Sequence, residues 1–223
     1  MKFLRNHWYD VCGIIAVLTC IVLAVLWRQM DFIRILLTLN FIVVLLHQFE
    51  EYRFPGGGPA MANSSLRRGE TIYDRYPLNQ NNAMIGNLFI SFTLYLIPIF
   101  FPNLLWLGIA PALLGLVQIF PHVFVAWIGL KKFYTPGFLT VALGHIPIAI
   151  IYFHYISVNN LVSVRDWIIS VVYFLVYMGL SQVVFYKLLA PKDSKYPFPE
   201  EELNRFHMLE KVRALKKSNT ERV

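Results

Sequence analysis

Apolar residues fall into six long runs along this chain of 223 residues, and polar residues collect between the runs rather than alternating within them. A helix needs about 20 predominantly apolar residues to cross a hydrocarbon core of roughly 30 Å. The runs predict helices over about 9–27, 32–52, 83–101, 104–129, 136–157 and 167–189. Four of the five connections are short. The exception is the loop 53–82, with the glycine run Gly56-Gly57-Gly58, three prolines and the polar tract Asn79-Gln80-Asn81-Asn82, which reads as irregular. The fold class expected is all-α: a polytopic membrane helix bundle of about six transmembrane helices over 1–190, followed by a tail over 191–223.

The first run follows the basic start Met1-Lys2-Phe3-Leu4-Arg5 and ends in Leu26-Trp27-Arg28 with no small-residue cleavage site. It reads as an uncleaved first span rather than a signal peptide. Cys12 and Cys20 are eight residues apart in that run, about 12 Å along a helix and too far for a disulfide.

Composition sharpens the membrane reading. The chain is 57% hydrophobic and 15% charged, whereas soluble domains carry about a quarter charged residues. From Ile85 to Asn160 there are two lysines and no acid. With the N-terminus in the cytoplasm, seventeen of the 20 lysines and arginines fall on the inner side, leaving only Arg28, Arg34 and Arg165 outside. That asymmetry predicts cytoplasmic N- and C-termini and an integral, multi-pass protein of the plasma membrane of a prokaryotic cell. The net charge of +7 is thereby explained by topology. Its expected partners are membrane lipids, with anionic headgroups on the cytoplasmic side, and not nucleic acid.

The basic tail predicts a short amphipathic helix. Pro199 and three glutamates open it, Lys216 and Lys217 close it, and Leu203, Phe206, Leu209, Val212 and Leu215 form its apolar stripe. In the long loop, Asn63-Ser64-Ser65 matches a glycosylation acceptor, a pattern common by chance.

The second run carries the candidate chemistry. From Phe32 to Leu46 it is about 22 Å long as a helix, short of the bilayer core. The helix must therefore continue through His47-Gln48-Phe49-Glu50-Glu51-Tyr52, which places these residues in its last turns. Positions i, i+3 and i+4 share a helix face, so His47, Glu50 and Glu51 project together. Two carboxylates at a membrane edge repel each other, and a cation relieves that cost. The bland reading is that the glutamates snorkel to headgroups or pair with Arg53.

Two further histidines fall at a similar depth in the predicted topology. His122 lies nine residues before Lys131, and His145 nine residues after Pro136; each is close to a proline that loosens its helix, Pro121 or Pro147. Gln118, one turn from His122, and Asn87 in the third run are expected to hydrogen-bond the ligating side chains from behind. Together His47, Glu50, Glu51, His122 and His145 are the expected ligands of a divalent metal. Imidazole with carboxylate and no thiolate suits zinc, iron or manganese. Glu51 is the candidate general base, and Arg67, Arg68 and Arg75 of the loop are candidate substrate contacts. Against this stands the reading in which each histidine makes one interhelical hydrogen bond and nothing more.

The motif His47-Gln48-Phe49-Glu50-Glu51, at the end of the second of several apolar runs with later intramembrane histidines, resembles the HXXEE family of uncharacterised membrane proteins. The resemblance implies a multi-span protein with a metal or active site at those three motif residues, and no particular reaction. A metal-dependent membrane enzyme acting on a lipid or other amphipathic substrate is the leading expectation. Its rivals are a small transporter or proton relay using the same groups, and a structural membrane protein without catalysis. His-Glu-x-x-His is absent, no two histidines stand within four positions, and Gly179-Leu180-Ser181-Gln182 lacks the closing glycine of a nucleophile elbow. Zincin protease, desaturase and serine hydrolase chemistries are thereby disfavoured.

Overall fold

A computed structural model describes residues 1–66, 71–125 and 132–220. Six helices in it are long and apolar enough to cross a membrane: Lys2–Gln29, Phe32–Tyr52, Gln80–Phe100, Leu105–Phe124, Phe138–Val158 and Val164–Leu188. They are called the first to sixth helices below. No strand occurs among the described residues. The expected continuation of the fourth helix to 129 lies outside them.

Local sequence explains most of the boundaries. Asp31 caps the second helix, its carboxylate accepting from the Arg34 N–H at 2.8 Å. Ser163 and Asp166 form a capping box at the start of the sixth. The tract Asn79–Asn82 is not loop, as the composition suggests, but a helix start: Asn79 and Asn82 cap each other reciprocally, so the third helix begins at Gln80. Asn82 also reaches out of its helix, donating to the backbone oxygens of Pro77 and Phe185 at 2.9 Å each.

The second helix is the centre of the bundle. It packs against the first, third, fourth and fifth, while the sixth lies on the fourth and on the start of the third. In its most apolar stretch 56% of residues are buried, against 11% for the first helix and 17% for the sixth. Those two outer helices expose Ile14, Val17, Leu18, Leu175, Val176 and Leu180, side chains that a bilayer solvates without any partner. Cys12 is buried, Cys20 is exposed, and neither is in a disulfide.

The long loop is more ordered than its glycines suggest. Among its described residues only Gly56 and Gly57 adopt positive φ, at 75° and 88°, and the chain then turns straight into a helix, Gly58–Leu66. Asn63, the glycosylation match, is buried: its amide donates to the backbone oxygens of Tyr73 and Leu78 and its oxygen accepts from the Leu78 N–H at 2.8 Å. The side chain ties the loop shut, and nothing of it faces solvent for a glycan.

The tail folds onto this loop. A short turn, Glu200–Leu203, leads into a break at Phe206 and His207, whose φ values are 55° and 54°, and then a helix Met208–Thr220 packs against Gly58–Leu66. Leu203, Leu209 and Val212 of the expected stripe are buried, with Met208 beside them. Phe206 is 40% exposed because the break rotates it off the stripe, and its ring meets Tyr134 edge-on at 5.5 Å. Arg205 donates to the Tyr52 backbone oxygen, so a tail cation sits on the C-terminal end of the second helix. The first turns of the first helix and the described part of the tail therefore gather at the end of the bundle where the His-Glu motif lies.

Candidate metal centre

His47, Glu50 and Glu51 lie in the last turns of the second helix, which runs unbroken to Tyr52. The two glutamates are neighbours in sequence and so diverge by about 100° around the axis. That angle separates their surroundings.

Glu51, at i+4 from His47, turns toward the histidines. Its Oε1 lies 3.3 Å from His122 Nε2 and 3.9 Å from His47 Nε2. The rings of His47 and His122 meet edge-on with centroids 4.8 Å apart. One ligand atom each from His47, Glu51 and His122 all fall within 4.8 Å of one another. Both histidine side chains are almost wholly buried, at 3% and 2% exposure, whereas Glu51 keeps 20%. The cluster is closed on the histidine side and opens past Glu51.

Glu50, at i+3, turns instead to the start of the fifth helix. Its Oε1 accepts from the Tyr134 hydroxyl at 2.9 Å and the Leu139 N–H at 3.0 Å. Its Oε2 accepts from the Thr140 N–H at 2.9 Å and the Thr140 hydroxyl at 2.6 Å. The first N–H groups of a helix have no partner within it and carry the positive end of its dipole, so a carboxylate there is doubly favoured. Burial, and then the Glu50 charge, push the Tyr134 phenol above its ordinary value, which keeps it a donor. Glu50 thus stands outside the three-residue group.

His122 and His145 are carried on loosened helix. Phe120–Val125, which contains Pro121, and Val141–His145, closely followed by Pro147, are π-helical segments, and the prolines lack the N–H that a regular ladder needs. A π turn shifts the helical phase and re-aims the side chains on it. His145 comes to lie with its ring 5.6 Å from that of His47 and its Nδ1 3.1 Å from Asn40 Oδ1. It is deeper than the cluster and not part of the group within 4.8 Å; its Nε2, like the Tyr95 hydroxyl close by, is buried with no hydrogen-bond partner.

Of the two residues expected around the ligands, Gln118 reaches the site, its Nε2 3.3 Å from His47 Nε2. Asn87 does not: it donates to the Ala83 backbone oxygen and the Tyr52 hydroxyl, and its own backbone oxygen accepts from Gln48. Arg75 is paired with its neighbour Asp74 at 2.6 Å, and Arg67 and Arg68 lie outside the described residues.

Three contributors were not evident from the pattern of residues. Thr140 contacts both Glu50 and His47, the latter at 2.8 Å. Gly137, at φ 95°, lies directly against the histidines: a Cβ there would come 2.7 Å from His122 Nδ1 and 2.8 Å from His47 Cε1. Asn40 was the most findable, since it lies seven residues before His47 and eleven before Glu51, on the same helical stripe.

A family described as a protein of unknown function with HXXEE motif matches residues 38–152, about half of the chain. That segment contains Asn40, His47, Glu50, Glu51, Gln118, His122, Gly137, Thr140 and His145. No curated protein and no solved structure matches the chain.

Proposed function

We propose, for a chain that belongs to the family of proteins of unknown function with the HXXEE motif, a multi-pass membrane enzyme that holds a divalent metal ion between His47, Glu51 and His122. The observation that carries this is the convergence of three ligand atoms from the second and fourth helices within 4.8 Å. Ligands about 2.0–2.1 Å from a tetrahedral ion stand roughly 3.3–3.5 Å apart, close to the 3.3 Å and 3.9 Å separations of Glu51 from the two imidazoles. Two imidazoles and a carboxylate suit zinc, iron or manganese, and three protein ligands leave a position for water or substrate. A bound ion would displace the Gln118 amide from His47 Nε2. Glu51, the exposed member, supplies one oxygen to the ion and has the second for general-base work.

The substrate class follows from the surroundings. Phe120 and Phe124, two residues either side of His122 in the chain, and Leu139 and Leu143, near Thr140 and His145, are all exposed. In a bilayer that surface is acyl-chain territory, while the first turns of the first helix, the loop and the tail at the same end are water-facing and basic. A lipid or other amphipathic substrate matches both sides. By the charge asymmetry this end is cytoplasmic, in the plasma membrane of a prokaryotic cell, with anionic headgroups as neighbours.

The buried His145–Asn40 pair, with the unpartnered His145 Nε2 and Tyr95 hydroxyl beyond it, favours one second reading: a proton relay running inward from the same cluster. Elemental analysis of the purified protein separates the two. Stoichiometric metal in wild type, lost in Glu51→Ala and His122→Ala, is the expected result. A metal-free wild type overturns the enzyme reading and leaves the relay.

A further inference from the structure

We propose that Glu50 is a positioning residue rather than a ligand: acting through Thr140, it sets the tautomer of His47 so that a lone pair on Nε2, and not an N–H, faces Glu51 and His122. The consequence for metal binding rests on the metal reading above; the tautomer does not.

One hydroxyl hydrogen decides the tautomer. A carboxylate only accepts, so at 2.6 Å from Glu50 Oε2 the Thr140 hydroxyl must be the donor. The only other acceptor in reach of that hydrogen, the Gly137 backbone oxygen, is farther at 3.1 Å; with the hydrogen committed to either, the Thr140 oxygen can only accept from His47 Nδ1, 2.8 Å away. Nδ1 therefore carries the ring proton. The other side of the ring agrees independently. The Gln118 amide nitrogen, 3.3 Å from Nε2, has hydrogens and no lone pair to offer, so Nε2 is the acceptor. The opposite tautomer would set two donors against each other at Nε2 and two lone pairs against each other at Nδ1.

Glu50 is suited to this because it cannot turn away. Its two oxygens accept from Tyr134 and from the backbone N–H groups of Leu139 and Thr140 as well as from the hydroxyl. The carboxylate–hydroxyl–imidazole chain is thus anchored on the fifth helix and ends at the ring of the second. Metal-binding histidines generally donate their other N–H to such an outer partner, and loss of that partner typically costs 10–100-fold in metal affinity. The motif thereby divides its labour by helical phase: i+4 faces the ion, i+3 holds the histidine that binds it.

The test uses the full chain in detergent or nanodiscs with 15N-labelled histidine, metal-free, with the His47 signals identified by their loss in His47→Gln. NMR then reads which ring nitrogen bears the proton, and Co2+ titration followed by ligand-field absorption reads affinity. Expected are an Nδ1–H tautomer in wild type and Thr140→Ser, a shift toward Nε2–H in Thr140→Val, and a roughly 10–100-fold weaker Co2+ affinity in Thr140→Val that Thr140→Ser restores. Thr140→Val keeps the backbone bond to Glu50, so a purely structural role would leave the tautomer unmoved. An Nε2–H tautomer in wild type overturns the proposal even should Thr140→Val not fold. Unchanged tautomer and affinity in Thr140→Val also overturn it. A wild type that takes up no Co2+ sinks the metal reading, while the tautomer still decides this one.

Discussion

Two adjacent glutamates with one chemical identity are used in opposite ways. Glu51 is part-exposed and faces two imidazoles; Glu50 is buried and satisfies two backbone donors, a phenol and a hydroxyl. Their alanine variants should therefore fail differently. Glu51→Ala should lose metal with a melting temperature near that of wild type. Glu50→Ala strands the Leu139 and Thr140 N–H groups, each worth about 1–3 kcal/mol when buried without a partner. It should lower the melting temperature clearly, and a thermal melt in detergent beside a metal assay separates the two. That His47 and Glu51 share a face was legible from their spacing. That Glu50 does not join them was not, because i+3 and i+4 are near-equivalent on an isolated helix until a neighbour lies against one of them.

At the scale of elements, the site depends on irregular helix as much as on regular helix. The two π-helical segments that carry His122 and His145 contain or closely precede prolines that any reader of the chain can see, but the phase shift they introduce belongs to the packed bundle. The start of the fifth helix is the tightest point. Gly137 combines a φ of 95° with a Cβ position pressed against both histidines. Gly137→Ala carries a left-handed backbone cost of roughly 1–2 kcal/mol and drives a methyl between His47 and His122. It should weaken Co2+ binding and lower the melting temperature together, unlike Glu51→Ala; ligand-field absorption and a thermal melt on one preparation check this. A variant that binds Co2+ as wild type does would show that the histidines do not hold the positions described.

Over the whole molecule, the water-facing parts form a cap on the end that holds the site. The helix Gly58–Leu66, the tail and the first turns of the first helix meet there: Arg205 bonds the Tyr52 oxygen, Tyr9 donates to Glu202 at 3.3 Å, and Arg53 pairs with Asp10 at 3.0 Å. Burial raises the pKa of Glu202 above its ordinary 4.5, only partly opposed by Arg205. A carboxyl raised in the docked state favours docking while protonated, so its contribution is full below about pH 4.5 and is lost as pH rises through the folded value. Protease accessibility of the tail should accordingly increase with pH over that window, and Glu202→Gln should flatten the dependence. Leu209→Ala, which empties a buried position at a typical cost of 2–5 kcal/mol, should expose the tail at every pH; a tail still protected in that variant would mean the cap is held elsewhere.

Six apolar runs with polar breaks sufficed to predict six membrane-length helices, because a bilayer core demands that length and tolerates no other unpaired backbone. The shortness of the second run likewise placed His47, Glu50 and Glu51 inside a helix before any packing was known. Charge asymmetry bears on orientation through a rule about loops, not about contacts. What lay beyond the chain's pattern was everything decided by neighbours: that Asn87 bonds Ala83, Tyr52 and Gln48 rather than the histidines, that Asn63 closes a loop, that the tail breaks at Phe206, and that Thr140 stands between Glu50 and His47. Periodicity specifies which side of a helix a residue occupies, but the chemistry of that side is supplied by whichever other helix packs there, at ångström distances that no spacing along the chain encodes.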